Sequence, residues 1–350
     1  HVLSRRQRQM CIRDSPDGTS KQLTETGYVL EKHLFEQWIA DSAVKEGAKL
    51  ALKHKLTSIE RIEDNGTFVG WKCDGKGEMF PIKSKIVIDA SGVAAVCSKF
   101  VKPDGVKPLN EKGKVVAGMQ YELADVPTDG YLDFYIWPKY AEKGYLWMIP
   151  KCDGRANVGL VTEDRPRAKK ALDQFIEDTH FNDLSQQLPP WKTKGNPAFG
   201  GTIPISGPFE NTHYDGLMLI GDAAGFTSPL FEGGSHLALK SAVFAAETAV
   251  SAVSNGDVTA KSLEKYTMLW KAEFPPYEKI LRGKNALFKL SDGEMSLMGS
   301  CFPDEMGDMG ITGKAMVGLR LLFRRPDLYL KNIVPAMLAF GYSRAKYYGW

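Results

Sequence analysis

The sequence predicts an α/β protein with a second, mostly antiparallel sheet and a helical C-terminal region. Two short apolar runs, Ile86–Ile88 and Leu217–Ile220, precede Gly- and Ala-rich residues, as strands of a parallel sheet covered on both faces often do. Residues 113–161 are rich in Val, Tyr, Trp and Ile and are broken by Pro and Gly, which is typical of antiparallel strands. From Thr259 onward the apolar residues follow a helical period.

The first helix is predicted from Tyr28 to Gly47. Its apolar residues fall on one stripe, and Gly47 stands where a helix would end. We expect this stripe to pack on a sheet. The stripe comprises Leu34, Phe35, Trp38, Ile39 and Ala43.

Three further elements follow from their local patterns. Residues 50–92 alternate apolar and polar around Asp64-Asn65-Gly66, a hairpin signal, and predict an antiparallel meander that leads into the first apolar run. A helix beginning at Pro166 is predicted over residues 166–180. Residues from Ser235 to Ser254 are apolar almost all round, so this helix is expected to be buried.

Composition excludes several classes of protein. A formal net charge of +3, without basic runs interleaved with aromatic residues, argues against nucleic-acid partners. The five cysteines are scattered without a C-x-x-C pair and the histidines lack ligand spacing, which favours a reducing cytoplasm and predicts no bound metal. No apolar run approaches the roughly 18 residues of a membrane span, so membrane contact is expected to be peripheral.

Residues 1–15, HVLSRRQRQMCIRDS, have no apolar period and are crowded with Arg and Gln. We interpret them as a sequencing artefact that resembles translated adapter sequence, with a disordered basic tail as the alternative. No folded element is predicted here. On the first interpretation the protein is expected to begin earlier.

The segment GLMLIGDAAGFTSPLFEGGSHLALKSAVFAAE, residues 216–247, carries groups that could bind a flavin nucleotide. Its strand brings Asp222 to the carboxyl end of a sheet, where ligands bind in open α/β folds and where a carboxylate can accept ribose or ribitol hydroxyls. Gly233, Gly234 and Ser235 would aim helix N-terminal amides at an anion such as a reduced flavin ring. The loop from Pro229 would lie beside that ring. A turn held by Asp222 and the glycines alone is the simpler alternative.

This segment resembles the C-terminal FAD fingerprint of flavoproteins related to geranylgeranyl reductases, to electron-transfer-flavoprotein:quinone oxidoreductases and, more distantly, to aromatic hydroxylases. Two further segments, GYVLEKHLFEQWIADSAVKEGA and IVIDASG, are similar to elements of the same family. The family's phosphate-binding Arg is replaced by Lys32 or His33, neither of which makes a bidentate contact. The resemblance assigns FAD contacts to Lys32, Asp89, Gly92, Gly221, Asp222, Ala223, Gly225, Pro229, Gly233, Gly234 and Ser235.

The resemblance implies an FAD-binding Rossmann-like domain of the glutathione-reductase type, hydroxylase-like. No strand followed by G-x-G-x-x-G precedes Tyr28, so we expect the domain to lack its first βαβ unit and this chain to bind FAD poorly. The predicted boundaries are residues 28–107 and 212–256 for the partial FAD-binding domain, 108–211 for the substrate-binding domain and 257–350 for the helical region.

Residues 144–161, GYLWMIPKCDGRANVGLV, resemble the substrate motif of geranylgeranyl reductases, Y-x-W-x-F-P followed by G-x-G. Ile149 replaces the Phe and Val161 replaces the second Gly. Alternation along a strand places Tyr145, Trp147 and Ile149 on one face, where an apolar wall would suit an isoprenoid chain. Ordinary core packing is the alternative. The predicted substrate-binding residues are Tyr145, Trp147, Ile149, Pro150 and Gly159.

These resemblances imply an FAD-dependent oxidoreductase that saturates carbon–carbon double bonds of a geranylgeranyl or polyprenyl chain on a lipid. NAD(P)H or ferredoxin would supply the electrons, and no catalytic residue is assigned. A quinone-linked dehydrogenase, an aromatic hydroxylase or halogenase, and a lipid-binding remnant without turnover remain alternatives. The basic, aromatic C-terminal tail from Gly318 either lies on anionic lipid or caps the protein surface.

Overall fold

The computed structural model describes residues 8–12, 21–27, 29–101, 115–124, 126, 130–151, 154–178, 198–306 and 310–343. The chain divides into two compact units. The large-sheet unit comprises His1–Ala48, Val116–Thr202 and Asn285–Pro335. The parallel-strand unit comprises Lys49–Val115, Ile203–Lys284 and Ala336–Trp350. The predicted boundaries group residues 29–48 with the parallel strands and give residues 257–284 to a separate helical region, and they remain a prediction.

Fourteen strands are found in the described residues. They are β1 Arg8–Ile12, β2 Lys21–Gly27, β3 Lys55–Asp64, β4 Thr67–Lys76, β5 Ile82–Ser84, β6 Val87–Asp89, β7 Val115–Leu123, β8 Leu132–Tyr135, β9 Tyr145–Pro150, β10 Ala156–Thr162, β11 Ala198–Pro204, β12 His213–Tyr214, β13 Leu217–Leu219 and β14 Glu305–Met306.

The principal helices, numbered in chain order, are α1 Lys32–Lys45, α2 Val96–Val101, α3 Ala168–Asp178, α4 Ser235–Asn255, α5 Ala260–Glu273, α6 Tyr277–Leu287, α7 Asp292–Ser300, α8 Ile311–Arg324 and α9 Val334–Tyr342. Short helical turns at Pro326–Leu328 and Tyr329–Ile333 link the last two. The predicted helix over residues 166–180 is therefore a short turn that contains Pro166, followed by α3.

The large-sheet unit contains an eight-stranded sheet in the order β11-β7-β10-β9-β8-β1-β2-β14. Its central strands pair antiparallel, with Trp147 opposite Gly159 and Ile149 opposite Asn157. One face, which carries Leu146 and Met148, shares a buried apolar cluster with residues of α3. The antiparallel sheet predicted for residues 113–161 is thus confirmed.

The parallel-strand unit contains two three-stranded sheets, β12-β13-β6 and β3-β4-β5. The two apolar runs form β6 and β13, which pair in parallel as predicted. The predicted meander is also confirmed, because β3 and β4 form a hairpin whose turn residues Asn65 and Gly66 have φ of +49° and +79°. Both values lie in the left-handed region that this hairpin turn requires.

Two helices are less buried than the sequence predicts. No residue of α1 is buried, and Leu34 and Trp38 from its apolar stripe are 43% and 56% exposed. Helix α4 buries only one face, while Leu239, Val243 and Val250 are exposed. An apolar period shows which side of a helix avoids water, but it does not show that a neighbour covers that side.

Helix α4 is also long and apolar enough to span a membrane, with a mean hydropathy of 1.3 over its best window, and among the described residues it alone meets that test. A helix of this length and hydropathy was not predicted from the sequence. Its buried face includes Leu237 and Ala245, which join the core of the parallel-strand unit. A core helix of this kind passes the same test by composition, so the finding is weak evidence of a span.

The N-terminal residues differ from expectation in one respect. The sequence predicts no folded element in residues 1–15, yet Arg8–Ile12 pairs with β2 antiparallel and with β8 in parallel. Strand pairing uses backbone groups, so it does not require the apolar period whose absence guided the prediction. Cys152 and the basic residues Arg344 and Lys346 lie outside the described residues.

Candidate functional site

The carboxyl ends of the parallel strands β6 and β13 meet in the parallel-strand unit. Leu219 pairs with Asp89, and Ile220 N donates to Asp89 O at 3.0 Å. The turn Gly92–Ala94 packs on Gly221–Ala224, with Ala95 and Ala223 in one buried cluster. Two segments that the sequence assigns to FAD therefore form one surface, at the sheet edge where α/β proteins bind ligands.

Asp89 holds the turn that follows β6. Its side chain is 3% exposed, with Oδ1 accepting from Ser91 N at 2.9 Å and Oδ2 accepting from Cys97 N at 2.7 Å. Both oxygens are thus engaged by backbone amides. Asp89 shapes the site without presenting a free carboxylate, while a Cβ at Gly92 would meet open space.

Asp222 lies at the start of the loop after β13. Its Oδ1 accepts from Thr227 Oγ1 at 2.8 Å, and Oδ2 has no hydrogen bond among the described residues. The side chain is half-buried, so this second oxygen can accept a ligand hydroxyl. The loop closes at Gly225, where φ is +81° and an added Cβ would collide with Gly207 O. Only glycine permits both that φ and that approach.

The N-terminus of α4 faces the Asp222 carboxylate. Its N-cap, Gly234, makes no side-chain cap, so amides of the first turn remain free to bind a ligand. A Cβ on Gly234 would lie 3.2 Å from Asp222 Oδ1. Helix α4 is also held against the loop after β13, because Gly221 N donates to Ser241 Oγ at 3.0 Å. Uncapped amides beside a carboxylate suit a group that carries both hydroxyls and negative charge, as a flavin nucleotide does.

The loop that contains Pro229 is tied by a buried ion pair. Lys284 Nζ of α6 lies 2.8 Å from Glu232 Oε1, and both side chains are 2% exposed. Glu232 has φ of +51°, and Ser228 N donates to Gly233 O at 3.0 Å. The sequence does not predict a role for Lys284, because its partner lies 52 residues away along the chain.

The large-sheet unit carries Lys32, the proposed phosphate contact. Lys32 begins α1, is 71% exposed and lies 3.6 Å from Glu36 Oε1, so it is a solvated residue with a weak local ion pair. Its neighbour Glu31 belongs to a four-residue ion cluster. Lys151 Nζ lies 2.7 Å from Glu31 Oε2 and 3.1 Å from Glu122 Oε2, and Arg155 bonds both carboxylates.

The charges of the cluster set the protonation of its acids. Burial alone would raise the pKa of Glu31 and of Glu122, but hydrogen bonds and charges from Lys151 and Arg155 outweigh burial and hold each pKa below its usual range. The cluster therefore consists of two ionised carboxylates, each of which is paired with both cations. The sequence does not predict this cluster, because the spacing of its four residues has no local signature.

The predicted substrate motif occupies the face of the large sheet opposite α3. Tyr145, Trp147 and Ile149 alternate with the core residues of β9 and so share this face. The Tyr145 ring lies 5.8 Å from that of Trp147 and 5.4 Å from that of Phe134. Phe134, Tyr145 and Gly159 are buried, while Trp147 and Ile149 are half-buried. We call these five residues the aromatic wall.

Gly159 gives the wall its shape. A Cβ at this position would clash with Trp147 Cζ2 and lie 2.6 Å from Gln120 Cβ, so the indole lies directly over the glycine backbone. Trp147 Nε1 donates to Gln120 Oε1 at 3.3 Å and is thereby oriented. Pro150 is the exception among the predicted substrate residues, since it pairs with Ala156 and alternates to the α3 face. The side chains of adjacent residues in a strand point to opposite faces of the sheet.

Two other reactive residues, the buried Cys97 and the half-buried His213, are structural. Cys97 is 2% exposed, and burial together with nearby Asp89 raises the pKa of its thiol to about 12. His213 bonds Thr267 Oγ1 at 2.7 Å inside the parallel-strand unit, and burial lowers its pKa. The described residues contain no group of three or more His, Cys, Asp or Glu that could hold a metal ion.

Comparison with known proteins identifies relatives of this chain. The family described as "Geranylgeranyl reductase catalytic domain" matches residues 115–188. A digeranylgeranylglycerophospholipid reductase of Methanocaldococcus jannaschii is 32% identical over 91% of this chain and 80% of its own length. Digeranylgeranylglycerophospholipid reductase 2 of Methanopyrus kandleri is 30% identical over 91% of this chain and 81% of its own length.

Among solved structures, a geranylgeranyl bacteriochlorophyll reductase-like protein of Thermoplasma acidophilum superposes with a TM-score of 0.77 at 25% identity, covering 95% of this chain and 84% of that one. A flavin-dependent brominase shares the fold at a TM-score of 0.58 and 16% identity, covering 98% and 78%. The strand-end loops, the uncapped helix and the antiparallel sheet define a flavin-dependent oxidoreductase of α/β fold. Within that class, the chain belongs to the geranylgeranyl reductase superfamily.

Proposed function

We propose that this protein saturates carbon–carbon double bonds of a geranylgeranyl or polyprenyl chain carried on a lipid. The observation that carries the proposal is the aromatic wall, in which Tyr145, Trp147 and Ile149 share one sheet face over Gly159. An isoprenoid offers only methyl and alkene groups for recognition, so it is bound by shape and apolar contact. The relatives' names support the same substrate class.

We propose FAD as the flavin. Asp222 Oδ2 would accept a hydroxyl of the cofactor, and the α4 amides beyond Gly234 would favour its negative charge. When bound, the flavin would supply the hydride for alkene saturation, which also takes up one proton. The chain's own residues bind and orient: the wall holds the prenyl chain, and the Glu232–Lys284 pair fixes the loop that begins at Pro229. NAD(P)H or a ferredoxin would return the electrons.

The test uses the protein with a large excess of FAD, because the sequence predicts weak FAD binding, together with a chemical or enzymatic reductant and a geranylgeranyl glycerophospholipid. We expect products heavier by successive pairs of hydrogen atoms, detected by mass spectrometry. The control omits FAD. Rapid reduction of a quinone without any saturated lipid would favour the quinone-linked alternative, and an oxygen-dependent product would favour a hydroxylase or halogenase.

We also propose a cytoplasmic protein that binds the membrane surface peripherally. In the large-sheet unit, Ile311 and Phe323 of α8 are 88% and 81% exposed, and Leu330 is 75% exposed. Exposed Lys and Arg side chains flank them at Lys314, Arg320, Arg324 and Lys331. Apolar residues flanked by cations fit an anionic lipid surface.

The membrane proposal has its own test. Phe323→Ser should reduce the fraction of protein that sediments with phosphatidylglycerol vesicles. The unaltered protein should bind phosphatidylcholine vesicles less strongly than phosphatidylglycerol vesicles. Gln174→Ser, at an exposed position of α3, is the control. Equal binding of both variants to anionic vesicles would contradict an α8 contact.

A further inference from the structure

We propose that the side-chain amide of Asn157 accepts a hydrogen bond from the polar head group of the prenyl lipid and thereby sets which double bond lies beside Trp147. This inference rests on the proposed function. Its ligand is a hydroxyl or ammonium hydrogen on the head group.

The first observation is an unused acceptor. Asn157 Oδ1 is buried and accepts no hydrogen bond from any described residue. A buried amide oxygen without a partner costs free energy that a native fold does not normally leave uncompensated. The residue as a whole is half-buried, and rotation about the last side-chain torsion, which is broad and two-fold, exchanges the positions of its oxygen and nitrogen. A donor that reached this amide would relieve the cost.

The second observation is position. Asn157 lies on β10 opposite Ile149 of β9 and opposite Glu122 of β7. It alternates with the core residues Ala156 and Val158, so its side chain is on the same face as the aromatic wall. Trp147 is paired with Gly159, two residues farther along β10, which is about 7 Å.

The third observation is the change of polarity along this face. The aromatic pair Tyr145 and Trp147 comes first, the Ile149–Asn157 pair follows, and the ion cluster of Glu31, Glu122, Lys151 and Arg155 lies at the end of the strands. The four charges of the cluster bond one another, and Gln120 is engaged by Trp147. Asn157 therefore stands at the boundary between apolar and polar surface with its acceptor unused.

A prenyl lipid has the same polarity along its length. With its chain on the aromatic wall, its head group is directed to the boundary where Asn157 lies. A hydrogen bond there fixes the distance from the head group to Trp147, because the sheet is rigid. The alkene beside the indole is then determined by its number of bonds from the head group, and Asn157 becomes a specificity-determining residue.

The test compares two pairs of geranylgeranyl lipids that differ only in a donor: a free hydroxyl head against its methyl ether, and a primary ammonium head against its trimethylammonium form. The unaltered protein should show a KM for the donor lipid about fivefold to tenfold lower in at least one pair. Asn157→Leu, which is close in size, should abolish that preference and change which double bond is saturated first. Whichever pair shows the preference identifies the donor.

Gln174→Leu is the matched control, because it removes an exposed side-chain amide from α3 in the same unit. It should leave the preference intact. If Asn157 is only a structural orphan, Asn157→Leu will keep the preference and the first product of the unaltered protein, and that result overturns the proposal. The absence of a preference in the unaltered protein overturns it too. Thermal unfolding shows whether the variant is folded, and Asn157→Val, which also lacks an acceptor, replaces it if the Leu variant does not fold. If the unaltered protein saturates neither lipid, the proposed function itself fails.

Discussion

Lys284 Nζ lies 2.8 Å from Glu232 Oε1 in a pair whose side chains are each 2% exposed. Glu232 also has φ of +51°, a left-handed conformation that residues with a Cβ rarely adopt. Glu232 N donates to Ser228 O at 2.9 Å, which closes the turn. The pair thus stabilises a backbone conformation that the loop after Pro229 would not prefer by itself.

Breaking this pair should destabilise the parallel-strand unit. Lys284→Met leaves the Glu232 carboxylate buried without its counter-charge and should lower the free energy of unfolding by about 3 kcal/mol. The double variant Lys284→Met, Glu232→Leu removes both charges and should recover most of that loss. Urea unfolding followed by circular dichroism measures both. A single variant within about 1 kcal/mol of the unaltered protein would show that the pair is not needed.

A methyl group at Gly234 should weaken flavin binding without unfolding the protein. The backbone there has no positive φ, so Ala is allowed, but its Cβ would lie 3.2 Å from Asp222 Oδ1 and push the carboxylate aside. We expect the Kd for FAD, measured by flavin fluorescence, to rise by about tenfold, which corresponds to about 1.4 kcal/mol. Gly293→Ala is the control, because nothing lies within 4 Å of its added Cβ. Equal affinities for both variants would exclude a flavin contact at this helix start.

Local sequence chemistry predicted the parts of the fold that depend on adjacent residues. Asn65-Gly66 predicted the β3–β4 hairpin because few residues accept left-handed φ values, and the structure has them there. The apolar run Leu217–Ile220 predicted β13 because a strand buried on both faces needs no alternation. The positions of Asp222 and Gly234 follow from these elements.

What the sequence did not predict depends on distant partners. Glu31 and Arg155 lie 124 residues apart, and no pattern around either indicates the ion pair. The same holds for Glu232 and Lys284. The exposure of Trp38 on α1 likewise depends on what covers the helix, which its own period does not encode. Periodicity predicts the orientation of a side chain, whereas burial requires tertiary contacts.

Adding a Cβ at Gly159 should displace the Trp147 indole from the aromatic wall. Because the new atom would overlap the indole and crowd Gln120 Cβ, Gly159→Ala should lower stability by about 1–3 kcal/mol and reduce kcat/KM for a prenyl lipid. Urea unfolding and product mass spectrometry measure these effects. Gly201→Ala on β11 of the same sheet meets no atom within 4 Å and should change neither. If Gly159→Ala keeps full activity, the Trp147 indole does not take part in substrate binding.

The ion cluster should make the large-sheet unit sensitive to acid. The pKa values of Glu31 and Glu122 are lowered in the fold by Lys151 and Arg155, so the stabilisation is fully present above the unfolded pKa of about 4.3 and is lost as the pH falls through the lower folded values. Unfolding midpoints measured from neutral to acidic pH should therefore fall steeply below about pH 4.3. Glu122→Gln should be less stable at neutral pH and should show a shallower acid dependence. If the stability of Glu122→Gln and of the unaltered protein fell equally with pH, the ion cluster would not be the source of the acid sensitivity.

Cys97 should be inert in the native protein. Its thiol is 2% exposed and its pKa is raised to about 12 by burial and by the Asp89 carboxylate, so roughly one molecule in a hundred thousand carries the thiolate at neutral pH. Since the thiolate is the nucleophile, iodoacetamide should leave Cys97 unmodified in the native state and alkylate it fully in urea, as peptide mass spectrometry would show. Asp89→Asn removes the charge, but its amide nitrogen cannot accept the second of the two backbone bonds, so it should speed native labelling by loosening the turn. Native labelling at the rate of a free cysteine would mean that the turn after β6 opens, and that Asp89 does not hold it closed.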